Sequence, residues 1–200
     1  MITTDGNKAE LRRHLLSVRS GLPTGDVEAA EAALARRAAE LPELADARTV
    51  AAYVSVGREP GTRALLDALL ARGVRVLLPV LLPDNDLDWG VYRGAEGLRR
   101  ASRGLLEPDG GRLGPDAVLD ADAVLLPGLA VDRRGIRLGR GGGSYDRVLA
   151  RIAAAGADPA LVVLLYDTEL LETVPRDPHD RPVQAAVTPS AIHRFTEPPR

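Results

Sequence analysis

A run of glycines in the second half of the chain is the densest group of residues suited to ligand chemistry. Four of the six positions from 139 to 144 are glycine, and arginines stand at 137 and 140. Glycine lets several backbone N–H groups converge on one point because no Cβ atom intervenes. A helix predicted to begin at Ser144 adds unpaired N–H donors and the positive end of its dipole. The segment therefore predicts an anion-binding loop with phosphate as its ligand, and the two guanidinium groups add positive charge.

A flexible linker and two known phosphate-binding motifs are the alternatives for this segment. Linkers are Gly/Ser tracts between domains, whereas this run stands between a predicted strand and an amphipathic helix. A P-loop needs a lysine after its glycines, and none is present here. A dinucleotide-binding fingerprint is half present as Gly139, Gly141 and then Ser144, but about a dozen residues separate it from the preceding strand. A dinucleotide-dependent oxidoreductase therefore stays open as a weaker alternative.

Several carboxylates stand where they could bind a metal ion or a substrate. Asp146 falls on the first turn of the helix after the glycines, where it either favours the helix dipole or holds Mg²⁺ beside bound phosphates. Glu59 follows the first predicted strand, at the edge where open α/β sheets bind ligands, although a solvated acid beside Arg58 explains it equally well. Asp180 is on its own better explained as a turn residue. Glu107, in a glycine-rich loop, is a weaker candidate.

The composition excludes several classes of protein. The 200 residues contain no cysteine, so disulfide scaffolds, thiolate metal sites and cysteine nucleophiles are impossible. The net charge is −2, which argues against a strongly basic nucleic-acid binder. No segment reaches the ~18 apolar residues of a membrane span, and residues 1–10 have no apolar signal-peptide core. We expect a cytoplasmic protein with no nucleic-acid or membrane partner.

The elements that must position these residues alternate between apolar strands and amphipathic helices. Helices are predicted at 7–20, at 24–40 with Thr24 as N-cap, at 61–72 and at 144–155. Strands are predicted at 49–54, 74–78 closed by Pro79, 87–92, 123–126, 161–166 and 185–188, and residues 127–138 are interpreted as a loop. The β-α-β unit at 49–79 indicates parallel strands. We predict a single α/β domain over residues 1–200, with an open, mostly parallel sheet and helices on both faces.

Residues 125–147, LLPGLAVDRRGIRLGRGGGSYDR, resemble the signature of the 5-formyltetrahydrofolate cyclo-ligase family, also called methenyltetrahydrofolate synthetases. Weaker likenesses follow in order along most of the chain: Lys8-x-x-Leu11-Arg12 with Arg19, Glu59-x-x-Thr62, Pro79, residues 104–108, Val174-Pro175, His179-Asp180 and Val187-Thr188. Two positions depart from the family pattern. Val131 stands where an aromatic residue is usual, and Ser144 stands where a second Tyr is frequent. Both departures are expected to remove aromatic surface near the site.

The resemblance implies a three-layer α/β/α fold and an ATP-dependent reaction. The reaction would convert 5-formyltetrahydrofolate to 5,10-methenyltetrahydrofolate, with ADP and phosphate released. Phosphorylation would turn the formyl oxygen into a good leaving group, and the folate N10 would then attack the activated carbon and expel phosphate. The protein's part would be mainly positioning and charge stabilisation. A non-catalytic nucleotide- or folate-binding regulator of the same fold stays an alternative.

Carried over position by position, the resemblance implies a role for each candidate residue. ATP would be bound by Lys8, Arg12, Arg137, Leu138, Gly139, Arg140, Gly141, Gly142, Gly143, Ser144 and Tyr145. The catalytic residues among them would be Lys8, Arg140 and Tyr145, and Mg²⁺ would be held by Asp146 and Asp180. The reduced folate would be bound by Val54, Glu59, Glu107 and Pro108. We expect ATP and a reduced folate as the only partners of a monomer.

Lys8 is the only lysine among the 26 lysine and arginine residues of the chain. A lysine on the first predicted helix would supply the charge that a P-loop carries within its own loop. An ammonium is a compact point charge that a guanidinium does not reproduce. We expect Lys8 to face solvent, so that Lys8→Ala lowers ATP affinity or turnover at least about tenfold while the fold stays intact.

Overall fold

The computed structural model describes residues 4–178 and 180–195, so His179 lies outside the described residues. The α-helices of this part are α1 (Thr4–Ser20), α2 (Thr24–Ala38), α3 (Pro42–Ala45), α4 (Arg63–Ala71) and α5 (Ser144–Ala154). The strands are β1 (Thr49–Ala51), β2 (Arg75–Leu81), β3 (Leu87–Val91), β4 (Leu98–Arg100), β5 (Leu106–Pro108), β6 (Ala123–Pro127), β7 (Ala130–Asp132), β8 (Arg137–Leu138), β9 (Ala160–Leu164), β10 (Leu170–Leu171), β11 (Ala185–Val187) and β12 (Ile192–Arg194).

The described strands form one large sheet and two small ones. The large sheet has the order β12-β11-β9-β6-β1-β2-β3. Its five inner strands run parallel, and the edge strands β3 and β12 are antiparallel to their neighbours. The register of β1 places Val50 beside Val76 of β2 and Ala123 of β6. The mostly parallel sheet expected from the β-α-β pattern is therefore confirmed.

Helices cover both faces of the large sheet, which gives three layers. Side chains alternate along each strand, so Val50 and Ala51 of β1 face opposite layers. Leu34 of α2 and Leu66 of α4 pack in the core on the Val50 side. Val148 of α5 packs in the core on the Ala51 side. The two cores place α4 and α5 on opposite faces, as the α/β/α expectation requires.

The first helix lies on the small sheet β10-β7-β8, away from both faces of the large one. Leu15 of α1 belongs to a third apolar cluster with Ile136, which lies next to β8. One turn further on, Arg19 is buried and donates to both carboxylate oxygens of Glu169, at 2.6 and 2.8 Å. The same guanidinium donates to the carbonyl oxygen of Gly128 at 2.6 Å. These bonds fix the position of α1 relative to the end of β6.

The predicted N-cap of the second helix is wrong by one residue. Pro23 holds that position, in extended conformation, and Thr24 is the first helical residue. The carbonyl oxygen of Pro23 already accepts the N–H groups of Asp26 and Val27, which is what an N-cap backbone does. The fixed φ of proline is compatible with this position.

Pro79 does not close the second strand, which continues to Leu81. The carbonyl oxygen of Leu77 accepts from the N–H of Ala52, so this side of Leu77 faces β1. Pro79, two residues on, faces the same side but lies beyond the last paired residue of β1. Its missing N–H therefore costs no ladder hydrogen bond.

The stretch interpreted as a loop before the glycines contains a hairpin. Strands β7 and β8 pair antiparallel, with Val131 opposite Arg137, and β10 adds to β7 in parallel. The turn is organised by Asp132, which is fully buried and accepts the N–H groups of Arg134 and Ile136.

None of the helices formed by residues 4–178 and 180–195 is both long and apolar enough to cross a membrane.

Candidate functional site

A cavity of about 610 Å³ opens where β1, β2 and β6 end. Its walls include Tyr53 and Val54 after β1, Leu81 of β2, and Pro127 and Gly128 at the end of β6. The chain leaves β1 through α4 on one face of the sheet and leaves β6 through α5 on the other. The carboxyl ends of the strands at such a switch point are the usual ligand site of an open α/β sheet.

Most of the residues predicted for the site are brought together at this cavity. It is lined by Lys8, Arg12, Val54, Glu59, Arg137, Leu138, Gly139, Arg140, Gly141, Gly142, Gly143, Ser144, Tyr145, Asp146 and Asp180. These residues come from α1, from the segment after β1, from β8 and the glycine loop, from the start of α5 and from the segment before β11. One concave surface therefore collects the candidate phosphate, metal and folate residues, with the exception of Glu107 and Pro108.

The glycine loop leads directly into the start of α5. Gly141 has φ +94° and Gly143 has φ +76°, a left-handed conformation that favours glycine. Gly143 is the N-cap of α5, and no side chain caps the helix. The first helical bond runs from the N–H of Arg147 to the carbonyl of Gly143 at 3.1 Å. The first-turn N–H groups of α5 therefore stand at the cavity as donors for an anion.

Two arginines connect the glycine loop to distant parts of the chain. Arg12 of α1 donates from Nε to the carbonyl oxygen of Gly139 at 2.9 Å. Arg140 donates to Oε1 of Glu59 at 3.1 Å, and about half of its side chain is exposed. These bonds hold the loop against α1 on one side and against the segment after β1 on the other.

Arg137 stands beneath the loop with only 6% of its side chain exposed. It donates to the carbonyl oxygen of Pro127 at 2.9 Å and to Oδ1 of Asp146 at 3.2 Å. Burial lowers the pKa of Arg137, and the nearby Asp146 charge opposes that effect. A guanidinium stays protonated under such shifts, so Arg137 supplies a fixed positive charge to the cavity.

Lys8 is buried, contrary to the expectation that it faces solvent. Its Nζ donates to Oδ2 of Asp177 at 2.5 Å and to Oδ2 of Asp180 at 2.7 Å. Burial alone would lower the pKa of Lys8, but the hydrogen bonds and charges of the two aspartates outweigh it, and the pKa lies above its ordinary value. Asp177 was not among the residues predicted for the site. Its place in the same turn as Asp180, only three residues earlier, is the signal that could have identified it.

The candidate magnesium ligands both line the cavity. Asp146 is half-exposed, and Asp180 is 12% exposed and also accepts the N–H of Asp177 at 2.7 Å. Within residues 4–178 and 180–195 no group of three or more His, Cys, Asp or Glu side chains is arranged to hold a metal ion. Mg²⁺ is usually bound through one or two carboxylates together with substrate phosphates. The donor set at this cavity therefore fits a magnesium ion that arrives with a phosphate.

Another part of the cavity wall combines the carboxylate of Glu59 with apolar side chains. Glu59 is 11% exposed, and its Oε2 accepts the N–H of Val56 at 2.9 Å. Val54, Leu81 and Leu105 line the cavity near it. An apolar surface with a single carboxylate suits a flat heterocycle that carries N–H donors.

Glu107 and Pro108 do not reach the cavity wall, contrary to the role that the resemblance implies. They belong to β5, whose first residue, Leu106, does line the cavity. Oε1 of Glu107 accepts the N–H of Leu81 at 3.0 Å, which occupies the carboxylate with the end of β2. Pro108 packs so closely on Gly90 of β3 that a Cβ there would lie 2.6 Å from its Cγ.

The two departures from the family pattern differ in their consequence. Val131 is fully buried in the core on the α5 side and is not part of the cavity wall. The expectation that Val131 removes aromatic surface near the site therefore stays a prediction, and any such effect would act from behind the cavity wall. Ser144 does line the cavity, at the N-terminus of α5.

Two tyrosines bring buried hydroxyl groups to the cavity. Neither Tyr53 nor Tyr145 finds a hydrogen-bond partner for its hydroxyl among the described residues. Burial raises the pKa of both phenols well above the ordinary value, and the nearby Glu59 raises them further. Tyr145 was among the residues predicted for the site, whereas Tyr53 was not. Its position directly before the predicted site residue Val54 is the signal that could have identified it.

Known proteins resemble this chain over most of its length. A model described as the 5-formyltetrahydrofolate cyclo-ligase family matches residues 4–189. The chain is 43% identical over 188 residues to 5-formyltetrahydrofolate cyclo-ligase of Mycolicibacterium smegmatis, covering 92% of this chain and 94% of that protein. It is 34% identical over 163 residues to 5-formyltetrahydrofolate cyclo-ligase of Escherichia coli K12, covering 79% and 87%.

Solved structures share the fold. The NMR structure of Aquifex aeolicus 5,10-methenyltetrahydrofolate synthetase has a TM-score of 0.80 and 28% identity, covering 96% of this chain and 95% of that one. A 5,10-methenyltetrahydrofolate synthetase from Mycoplasma pneumoniae has a TM-score of 0.70 at 18% identity, covering 91% and 98%, and supports the fold alone. From the sequence match and the shared fold together, this chain belongs to the 5-formyltetrahydrofolate cyclo-ligase family.

Proposed function

We propose that this enzyme uses ATP and Mg²⁺ to convert 5-formyltetrahydrofolate to 5,10-methenyltetrahydrofolate, with release of ADP and phosphate. The observation that carries the proposal is the cavity itself. It is lined by the glycine loop and the buried cations Lys8 and Arg137, and also by Glu59 and several apolar side chains. A phosphate donor and a folate could therefore meet in one cavity, which is what a direct phosphoryl transfer between them requires.

The proposed chemistry has two steps. The formyl oxygen attacks the γ-phosphorus of ATP, so an O–P bond forms and the bond to ADP breaks. The folate N10 then attacks the formyl carbon, and the C–O bond breaks with its electron pair leaving on phosphate. The proton of N10 is lost, and the product ring is closed. Neither step requires a covalent bond to the protein, so catalysis depends on positioning and charge.

The phosphate end of the cavity would be served by the glycine loop and its cations. The backbone N–H groups at the start of α5 would bind phosphate oxygens. Arg137 and Arg140 would offset the charge that develops during transfer. Lys8 carries three N–H donors on Nζ, two of which bind Asp177 and Asp180. Its third donor would bind a phosphate oxygen.

Asp146 and Asp180 would hold the magnesium ion. When bound, Mg²⁺ supplies positive charge that neutralises phosphate oxygens. Asp146 would be free to turn from Arg137 towards the ion because half of its side chain is exposed and the bond to Arg137 is long, at 3.2 Å. Tyr145, on the first turn of α5, would stand between this group and the folate end.

Val54 and Glu59 would bind the reduced folate. The carboxylate of Glu59 would accept N–H groups of the pterin, and Val54 would pack on its ring.

We place these roles in a single domain over residues 1–200, in keeping with the family match to residues 4–189. A monomeric state and a cytoplasmic location stay predictions.

A direct assay tests the proposal. The chain is incubated with 5-formyltetrahydrofolate, ATP and Mg²⁺, and the near-ultraviolet absorbance of the methenyl product is followed. We expect an absorbance rise that depends on both ATP and Mg²⁺. Binding of the ligands without turnover would instead support a regulator, and binding of NAD without ATP would support an oxidoreductase.

A pair of arginine variants provides the matched control for this assay. Arg140→Ala removes a cation at the cavity and should lower turnover. Arg133→Ala removes an exposed arginine of the neighbouring hairpin, paired with Glu172 and outside the cavity wall, and should leave turnover unchanged. Equal activity of the two variants would remove Arg140 from the proposed site.

A further inference from the structure

Tyr53 is a residue of the cavity wall whose hydroxyl is buried. The residue follows β1, is 4% exposed and lines the cavity. Among the described residues, no group accepts from or donates to its Oη. Buried hydroxyls are normally hydrogen-bonded, and an exception inside a ligand cavity points to a bond that a ligand completes.

The surroundings of Tyr53 make its hydroxyl a donor. Burial raises the pKa of this phenol well above its ordinary value, and the nearby Glu59 and Tyr145 raise it further, while Arg19 opposes them. The phenol therefore keeps its proton at neutral pH. Both oxygens of Glu59 already accept bonds, from Val56 and from Arg140. The Tyr53 proton has no acceptor among the described residues, and a bound ligand could supply one.

The charge near Tyr53 selects the kind of acceptor. A phosphate oxygen would bring further negative charge beside the carboxylate of Glu59, whereas a neutral carbonyl oxygen would not. Tyr53 also adjoins Val54, an apolar residue of the cavity wall that the proposed function assigns to the folate. A neutral acceptor on an apolar molecule suits this place better than a polyanion does.

We infer that the hydroxyl of Tyr53 donates a hydrogen bond to a carbonyl oxygen of the bound reduced folate, next to Glu59. This inference rests on the proposed function. Tyr53 would then be a substrate-binding residue that discriminates by hydrogen bonding, because a site with an unmet donor favours the ligand that satisfies it.

The inference predicts opposite effects on stability and on folate binding. Tyr53→Phe removes a hydroxyl that has no partner among residues 4–178 and 180–195, so thermal stability should stay the same or rise. The same change should raise the dissociation constant for 5-formyltetrahydrofolate about tenfold, the equivalent of about 1.4 kcal/mol. The KM for ATP should not change.

Tyr92→Phe is the matched control. Tyr92 is equally buried, but its hydroxyl donates to Oδ1 of Asp67 at 2.6 Å and it is not part of the cavity wall. This variant should lose thermal stability and keep its affinity for folate. Tyr53→Phe should therefore weaken folate binding without a loss of thermal stability, and Tyr92→Phe should lose thermal stability without weakening folate binding.

The experiment measures the unfolding midpoint by circular dichroism, folate binding by calorimetry without ATP, and steady-state kinetics. Unchanged folate affinity in a folded Tyr53→Phe variant overturns the inference, and so does a rise confined to the KM for ATP. A lower unfolding midpoint in Tyr53→Phe also overturns it, because the hydroxyl would then have a partner within the protein. Failure of the unmodified enzyme to turn over would contradict the proposed function separately, since calorimetry tests Tyr53 without turnover.

Discussion

Replacing Lys8 by methionine should destabilise the folded protein as well as weaken ATP binding. Lys8 is buried between Asp177 and Asp180, so its removal leaves two carboxylates facing each other without a cation. Methionine keeps most of the apolar length of the side chain, so the loss reports the charge and not the packing. An exposed lysine would have given no such loss of stability.

The geometry of the cluster sets the size of this effect. At an effective dielectric constant of about 20, unit charges 2.7 Å apart attract by about 6 kcal/mol, before the cost of burying them. Breaking a buried ion pair typically costs about 3–5 kcal/mol. Asp177 is 24% exposed, so water recovers part of its solvation and we expect a loss of about 3 kcal/mol. The dissociation constant for ATP should rise at least about tenfold.

Urea unfolding of single and double variants provides the assay. Asp177→Asn alone should cost less than Lys8→Met, because Lys8 keeps its bond to Asp180. Once Lys8 is methionine, Asp177→Asn should cost nothing or stabilise, since it removes one of two repelling charges. A coupling energy of at least about 1 kcal/mol is therefore expected between the two sites. Additive losses within about 0.5 kcal/mol would refute the cluster as described.

The pH dependence of the same variants gives an independent check. The pKa of Lys8 is raised in the folded protein above the ordinary value of 10.5, because the bonds and charges of the aspartates outweigh burial. Its stabilising contribution is therefore complete below that value and is lost as the pH rises through the folded-state pKa. The stability difference between the unmodified protein and Lys8→Met should be largest at neutral pH and shrink in strong alkali.

Two further substitutions test the anchoring of α1 and the magnesium site. Arg19→Met leaves Glu169 unpaired where both side chains are only 4% exposed, and it should cost about 3–5 kcal/mol in urea unfolding; a loss below 1 kcal/mol, as for exposed ion pairs, would contradict this. Asp146→Asn should raise the Mg²⁺ concentration needed for half-maximal turnover at least about tenfold. Mutation of a residue that only hydrogen-bonds to a metal ligand already lowers metal affinity by about tenfold or more. An unchanged magnesium requirement at normal stability would remove Asp146 from the proposed site.

The regular elements of this protein could be predicted because their patterns are local. The βαβ unit at 49–79 shows apolar strands around an amphipathic helix, and β3 was predicted to within one residue at its end. The hairpin of β7 and β8 was missed because two- and three-residue strands carry too little periodicity to detect. Its turn depends on the buried Asp132, whose bonds only the folded chain reveals.

The candidate site could be predicted in its parts but not in its connections. The glycine loop was identified from composition, because backbone positions with positive φ, such as 141 and 143, favour glycine and so enrich the loop in it. The burial of Lys8 depends on acids 169 and 172 positions away, and nothing local indicates them. Glu107 was assigned to the folate by the family resemblance, whereas its carboxylate accepts the N–H of Leu81 at the end of β2. Tyr53 was overlooked because a tyrosine beside a strand is usually part of the core.

The separation of Lys8 from its partners along the chain has a consequence for biosynthesis. A ribosome synthesises α1 well before Asp177 and Asp180, which lie 169 and 172 positions after Lys8. Until then the only ammonium side chain has no carboxylates to hold it, and the glycine loop, already synthesised, stands beside an incomplete site. Nucleotide binding should therefore begin abruptly as these last aspartates leave the exit tunnel. Nascent chains stalled before residue 177 should be correspondingly poor at binding ATP.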